Sequence, residues 1–375
     1  MDYSKTVSDA TIESLGACLH NTSGSVPLHE RFRALFTLKA VGDERAINVV
    51  AECLQNDPSA LLKHELAYVL GQIRNPVALP KLESVLRNVN EDPMVRHEAA
   101  EAIGAISDPS SIPILAEFQS NPAEHIAVRE TCEIAKAKIE WDNSPEGIAQ
   151  LKAGKAAPTE RETIEAAAKA FGDSADDYEP ASSDGNDAPF PTIDPAPPSA
   201  LSDKPALEST ATLRAELLNV KLPLFERYRA MFGLRNAAVQ AGMKAGRDGG
   251  EEEEKEAVFA LAAGFADKSA LFRHEIAYVF GQLSTPTSIP SLITVLRDDN
   301  EEDMVRHEAA EALGSIATDD VMTALEEFVG DGPRAKTAPQ VVRESCEVAI
   351  DMAEYERSQE LQYANGLSGS TEIEA

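Results

Sequence analysis

Four His-Glu dipeptides recur at matched places in the chain: His64-Glu65, His97-Glu98, His274-Glu275 and His307-Glu308. Within each half the pairs are 33 residues apart (97 − 64 and 307 − 274), and the halves are offset by 210 (274 − 64). A lone helical histidine is usually a hydrogen-bonded core or surface residue. Four at one repeat position are different, because packing alone gives a surface histidine no reason to follow a repeat. Four carboxylates gathered together repel and resist ionisation unless a counter-charge is present, and two divalent cations would neutralise them. Imidazole and carboxylate without thiolate suit iron or manganese and do not exclude zinc. Adjacent residues project about 100° apart on a helix, so one pair cannot chelate an ion by itself. Ligands must converge from neighbouring helices, His64 with His97 and His274 with His307, with the carboxylates filling or bridging.

The stretches that carry the pairs read LLKHELAYVLGQI from Leu61, MVRHEAAEAIGAI from Met94, LFRHEIAYVFGQL from Leu271 and MVRHEAAEALGSI from Met304. Val95, Ala99, Ala102, Ile103 and Ile106 recur at intervals of three and four, the signature of a helix with one buried stripe. His97 lies off that stripe in a row with Ala100, Glu101 and Gly104, and the other copies repeat the row as His64, Ala67, Tyr68, Gly71, as His274, Ala277, Tyr278, Gly281, and as His307, Ala310, Glu311, Gly314. Small residues in such a row let another body approach closely, so the four histidines are expected to face one space. Gly71 and Gly281 fit either helix packing or room beside a ligand. Tyr68 and Tyr278 are expected to pack with their hydroxyls satisfied. Glu101 and Glu311 suit either support of the histidines or a solvated helix face.

A repeat of ~30 to 35 residues with two helices in each unit means a helical solenoid. The expected fold is all-α: a HEAT-like solenoid in two duplicated halves, residues 1–142 and 211–357, joined by a flexible linker over 143–210 and followed by a polar tail over 358–375. Expected helices cover 12–19 as a cap, then 46–54, 61–73, 77–87 and 94–106. Terminal repeats lack the pair in register, where Phe32-Arg33, Glu130-Thr131 and Tyr228-Arg229 stand; a fifth dipeptide, His29-Glu30, is out of register and is matched by Phe225-Glu226. The scaffold therefore does not need the pair. Proline, Asp and Ser enrich the linker, which reads as a passive tether with one transient helix near 160–171. An acidic insertion around 249–255 accounts for a change of register, since Arg31 matches Arg227 at an offset of 196.

The chain of 375 residues has a formal charge of −30, which argues against nucleic acid and favours a cationic partner. Its four cysteines show neither disulfide nor metal-knuckle spacing; Cys132 and Cys346 occupy matching places in VRETCEIA and VRESCEVA and read as small buried residues. No signal peptide and no stretch of ~18 apolar residues is found. A soluble monomer is expected, in the cytoplasm first and the nucleus second.

Four His-Glu pairs, in two couples a repeat apart on a duplicated helical array, closely resemble the deoxyhypusine hydroxylases. All eight residues of that motif are present, and the resemblance spans both halves but not the linker, the acidic insertion or the ends. It implies a monooxygenase with two iron ions (Fe2+), which uses dioxygen to hydroxylate the deoxyhypusine side chain of the translation initiation factor 5A precursor. By position it makes His64, His97, Glu98, His274, His307 and Glu308 iron ligands. Glu65 and Glu275 would bind iron, hold the substrate amines or do both, and Gly71 and Gly281 would leave room for the substrate beside the metals. Two other functions compete on the residues alone. A two-metal hydrolase would work without dioxygen, and a non-catalytic scaffold would bind a basic partner on its acidic inner face.

Overall fold

The protein is described here from a computed structural model, which covers residues 7–153, 192–199, 206–244 and 250–358. The first half comprises α1 (Asp9–Leu19), α2 (Leu28–Val41), α3 (Glu44–Asn56), α4 (Ala60–Ile73), α5 (Leu79–Arg87), α6 (Pro93–Ile106), α7 (Ile112–Ser120) and α8 (Ile126–Asp142). A short α9 (Pro145–Ala153) follows. The second half comprises α10 (Ala206–Leu217), α11 (Leu224–Lys244), α12 (Gly250–Ala262), α13 (Ala270–Leu283), α14 (Ile289–Arg297), α15 (Asp303–Ile316), α16 (Asp319–Glu326) and α17 (Gln340–Ser358).

Even-numbered helices of the first half and odd-numbered helices of the second form an inner layer. In it α4 packs on α6, α6 on α8, α13 on α15 and α15 on α17, while the remaining helices back them from outside. The small-residue row explains how closely the inner helices stack. A Cβ on Gly71 would lie 2.7 Å from the Cα of Ala102, one on Gly104 2.8 Å from the Cβ of Ala135, one on Gly281 3.3 Å from the Cα of Ala312, and one on Gly314 2.9 Å from the Cα of Ala349. Each glycine faces the next inner helix. Of the two readings open for Gly71 and Gly281, this fits helix-to-helix approach, because the space a Cβ would take is occupied by Ala102 and Ala312 of the neighbouring repeat.

The ends of the halves are exchanged. Helix α8, which closes the first half, packs on α11 and α13, and α17, which closes the second, packs on α2 and α4. Matching hydrogen bonds mark the two seams. The hydroxyl of Ser59, the N-cap of α4, donates to Glu344 at 2.9 Å, and that of Ser269, the N-cap of α13, donates to Glu130 at 2.6 Å. Glu130, which stands in the histidine register of its repeat, thus serves the joint between halves.

Two expectations of extent are revised. The acidic run beginning at Gly250 forms the first turns of α12, where carboxylates favour the positive end of the helix dipole. Part of the extra length lies before it: α2 ends at Gly42 in the left-handed region (φ 61°), whereas α11 runs through the equivalent Ala238 to Lys244. The expected linker also contains structure. Beyond α9 and the start of α10, residues 192–199 lie across both halves, with Ala196 fully buried. The helix expected near 160–171 falls outside the described residues. Among the described residues no helix is long and apolar enough to cross a membrane.

Candidate metal centre

Each pair sits in the first two turns of an inner helix, held by features that recur with it. Ser59, Asp92 and Ser269 cap α4, α6 and α13 through side-chain oxygens that accept from Leu62, Met94 and Phe272 amides. A cation precedes each histidine and anchors the helix away from the cavity. Arg96 donates to the Leu86 carbonyl and makes a two-point pair with Glu124 at 2.7 Å. Arg306 donates to the Leu296 carbonyl, Arg273 pairs with Glu301, and Lys63 pairs with Glu91. These four cations were not singled out from the sequence, although their place immediately before every histidine was a visible signal.

The histidines converge as expected. Ring centroids are 5.5 Å apart for His64 and His97, 5.3 Å for His274 and His307, 4.9 Å for His64 and His307, 5.8 Å for His64 and His274, and 5.3 Å for His97 and His274. All four are buried, as are Glu65, Glu98, Glu275 and Glu308. Nε2 of His64 lies 3.3 Å from Glu98 Oε2, and Nε2 of His274 lies 3.3 Å from Glu308 Oε2. Nε2 of His307 is 4.0 Å from that same Glu308 oxygen. The opposite nitrogens face other carboxylates: Nδ1 of His64 is 3.7 Å from Glu65, and Nδ1 of His307 is 3.6 Å from Glu311.

No ring nitrogen of the four histidines has a hydrogen-bond partner, an unusual cost for buried polar atoms. Metal ligation would account for the arrangement, since several of these groups could hold an ion. Two donors each ~2.1 Å from one ion stand about 3 Å apart, close to the His64–Glu98 and His274–Glu308 spacings. The remaining Nδ1–H groups would then be oriented by Glu65 and Glu311, the usual device for fixing a ligating imidazole. Donor atoms of His64, His97 and Glu98 come close enough together to hold one ion, as do those of His64, His274 and His307 and those of His307, Glu308 and Glu311. The second of these sets spans the two halves.

Electrostatics agree with a site built for cations. Burial opposes charge on His64, but Glu98 and Glu65 outweigh it and hold the ring well above the ordinary histidine range. Burial, followed by the charges of His274 and His64, pushes His97 well below that range, and His307 falls for the same reasons. Glu101, Glu275 and Glu311 are all held well above the usual carboxylate range, first by burial and then by one another or by Glu98, Glu65 and Glu308. The strongest charge on Glu275 is Glu101 of the other half, and on Glu311 it is Glu65 of the other half. Glu101 and Glu311 thus belong to the cavity and not to a solvated face. Tyr68 and Tyr278 behave as expected, their hydroxyls 3.3 Å apart across the two halves.

HEAT repeats match residues 52–137 and 257–349. A curated deoxyhypusine hydroxylase of Lentinula edodes is 51% identical over 98% of this chain and 99% of its own length. The chain belongs to the deoxyhypusine hydroxylase family. The hydroxylase of Cryptococcus neoformans is 50% identical over 94% of the chain and 87% of its own length, and that of Xenopus laevis is 48% identical over 95% of each. A solved structure of the human hydroxylase in complex with glycerol superimposes with a TM-score of 0.69 at 41% identity, covering 92% of this chain and 96% of that one. Membership disfavours the scaffold reading and makes the protein an oxidoreductase of the monooxygenase type.

Proposed function

We propose that this chain hydroxylates the deoxyhypusine side chain of the translation initiation factor 5A precursor, using dioxygen and two iron ions. His64, His97 and Glu98 would hold one iron, and His274, His307 and Glu308 the other. When bound, the iron pair supplies the activation of dioxygen that hydroxylation of an unactivated carbon requires. The chain's own residues do the rest. Burial of the eight pair residues keeps bulk water from the reacting centre. Glu65 and Glu275 flank the ligands, and Glu275 has a buried Oε1 with no hydrogen-bond partner, ready to accept from a substrate ammonium. A polyamine chain entering this carboxylate-rich space would relieve the repulsion among Glu101, Glu275 and Glu311 and be oriented by it. Because both half-sites come from one chain, the protein would act as a monomer.

The observation that carries this reading is the buried ring of four imidazoles, drawn from both halves, whose nitrogens have no partner but carboxylates. The experiment is metal analysis, circular dichroism and hydroxylation of a deoxyhypusine-bearing precursor by the parent and by His97→Ala and His307→Ala. The parent should carry two irons and require dioxygen. Each variant should keep its helicity, lose metal from its half and lose at least about 100-fold in turnover. Full iron retention in His97→Ala, or turnover without dioxygen, would overturn the proposal.

A further inference from the structure

The helices that bring His64 and His274 together, α4 and α13, are not a packed helix pair. Between them lie three layers. The imidazoles come first, at 5.8 Å; one helical turn further on, the Tyr68 and Tyr278 hydroxyls meet at 3.3 Å; one turn beyond those stand Gln72 and Gln282. Residues 192–199 bond to both glutamines.

Gln72 makes a two-point pairing with one residue of that segment. Its Oε1 accepts from the Ile193 amide at 2.8 Å and its Nε2 donates to the Ile193 carbonyl at 3.2 Å. Gln282, its counterpart at the offset of 210, donates to Thr192 Oγ1 at 2.9 Å and to Asp194 Oδ1 at 3.3 Å. Arg235 completes the set, donating to Asp194 at 2.9 Å and to Gln282 Oε1 at 2.8 Å. Further along, the Ser199 amide donates to the Arg229 carbonyl at 2.8 Å, and Gly233 of α11 leaves the space this approach needs, since a Cβ there would meet the Ser199 carbonyl at 3.1 Å. Pro195, Pro197 and Pro198 stiffen the segment, because each fixes its own φ. A stiff segment bonded to equivalent residues of two facing helices sets the distance between them.

We propose that residues 192–199 are an internal spacer that fixes the separation of the two metal half-sites, with Gln72, Gln282 and Asp194 as positioning residues. This rests on the reading of the cavity as a two-metal centre. The seams at Ser59 and Ser269 hold the N-terminal ends of α4 and α13, and the spacer holds the region two turns past the histidines. With both ends fixed, the helices cannot splay or close as ions and substrate enter and leave. The Pro-rich stretch is in this respect part of the catalytic scaffold and more than a tether.

The test uses the full chain loaded with Mn2+, whose paramagnetic resonance distinguishes an exchange-coupled pair from isolated ions, alongside hydroxylation by the iron-loaded protein. Gln72→Ala/Gln282→Ala should bind as much Mn2+ as the parent but lose the coupled spectrum, and kcat should fall roughly 10- to 100-fold with KM within about twofold. Asp194→Asn should move both readouts the same way by less. A coupled spectrum and parental kcat in the double variant would overturn the proposal, and so would a raised KM at unchanged kcat, which would make the segment a substrate contact. If the double variant does not fold, Gln72→Glu carries the test: it keeps the shape and the acceptor but sets a carboxylate oxygen against the Ile193 carbonyl. A parental spectrum in that variant counts against the spacer. A parent that holds a coupled Mn2+ pair yet does not hydroxylate the precursor would sink the functional reading while leaving the spacer standing.

Discussion

The two halves carry the same four pair residues at matched positions and part company where they meet the rest of the chain. Residues 192–199 cross α11 of the second half, where Phe232 is fully buried, but not α2 of the first, where the equivalent Phe36 is 42% exposed. At the crossing the second half has Gly233 and Arg235 where the first, at the offset of 196, has Thr37 and Lys39. The inter-repeat ion pairs also diverge. Arg96 is matched to Glu124, with a side chain only 6% exposed, whereas its counterpart Arg306 is matched to Asp299, with a side chain 70% exposed. The pair residues, which meet in one cavity, are the same in both halves, whereas α2 and α11 differ where only α11 carries the crossing segment.

The largest expected difference between halves lies in those ion pairs. Glu124→Gln leaves the buried Arg96 guanidinium without its counter-charge and should cost about 3–5 kcal/mol, while Asp299→Asn should cost about 0–1 kcal/mol. Urea unfolding of the two variants measures the contrast, and equal losses would erase it. The same pair gives a pH dependence. Hydrogen bonds from Arg96 hold the Glu124 carboxyl below its ordinary value of 4.5, so its stabilisation is complete above that value and disappears as pH falls through the lower folded one. Glu124→Gln should flatten that acid limb; Asp299→Asn should leave it in place.

A smaller contrast concerns helix spacing. An added methyl at Gly71 would stand 2.7 Å from backbone and at Gly281 3.3 Å. Gly71→Ala should therefore cost about 1–3 kcal/mol and weaken metal binding as α4 shifts from α6. Gly281→Ala should fall within about 1 kcal/mol of the parent, because helix propensity offsets the crowding. Thermal unfolding and metal titration of both variants decide it, and reversed order would show that the halves differ in plasticity rather than in clearance.

The smallest expected difference is none. Cys132 and Cys346 are both fully buried, and burial pushes the Cys132 thiol up to about 12 and the Cys346 thiol up as well. Cys53 is also buried, its thiol raised to about 12. An alkylating reagent at pH 8 should thus reach only the half-buried Cys18 in the folded protein and all four thiols after denaturation. Labelling of Cys346 but not Cys132 would mean that the terminal helix α17 opens where α8 does not.

The repeat register made the histidines legible, because a period of 33 residues in both halves leaves little room for coincidence. Inner helices 61–73 and 94–106 were legible from apolar spacing to within a residue or so of α4 and α6. The glycine row was visible too, but its meaning was not, since a small residue invites a ligand and a neighbouring helix equally. Glu101 and Glu311 were ambiguous for a related reason: at i+4 from a histidine a carboxylate can turn inward or outward, and only the other half decides. The docking of residues 192–199 is not legible, because composition reports only that a Pro-rich stretch cannot build a core of its own. It is silent on whether such a stretch docks on a core built by others, and the partners here, Gln72 and Gln282, are 210 residues apart.

The exchanged seams carry one more consequence. Glu130 seeks a serine that its own half does not place within reach, and so does Glu344. A solitary half could satisfy its end only by meeting a second copy of itself, each lending its last helix to the other about a twofold axis through the histidines. In that sense the two halves of the present chain pack as the subunits of a dimer would, each supplying the helix that closes the other.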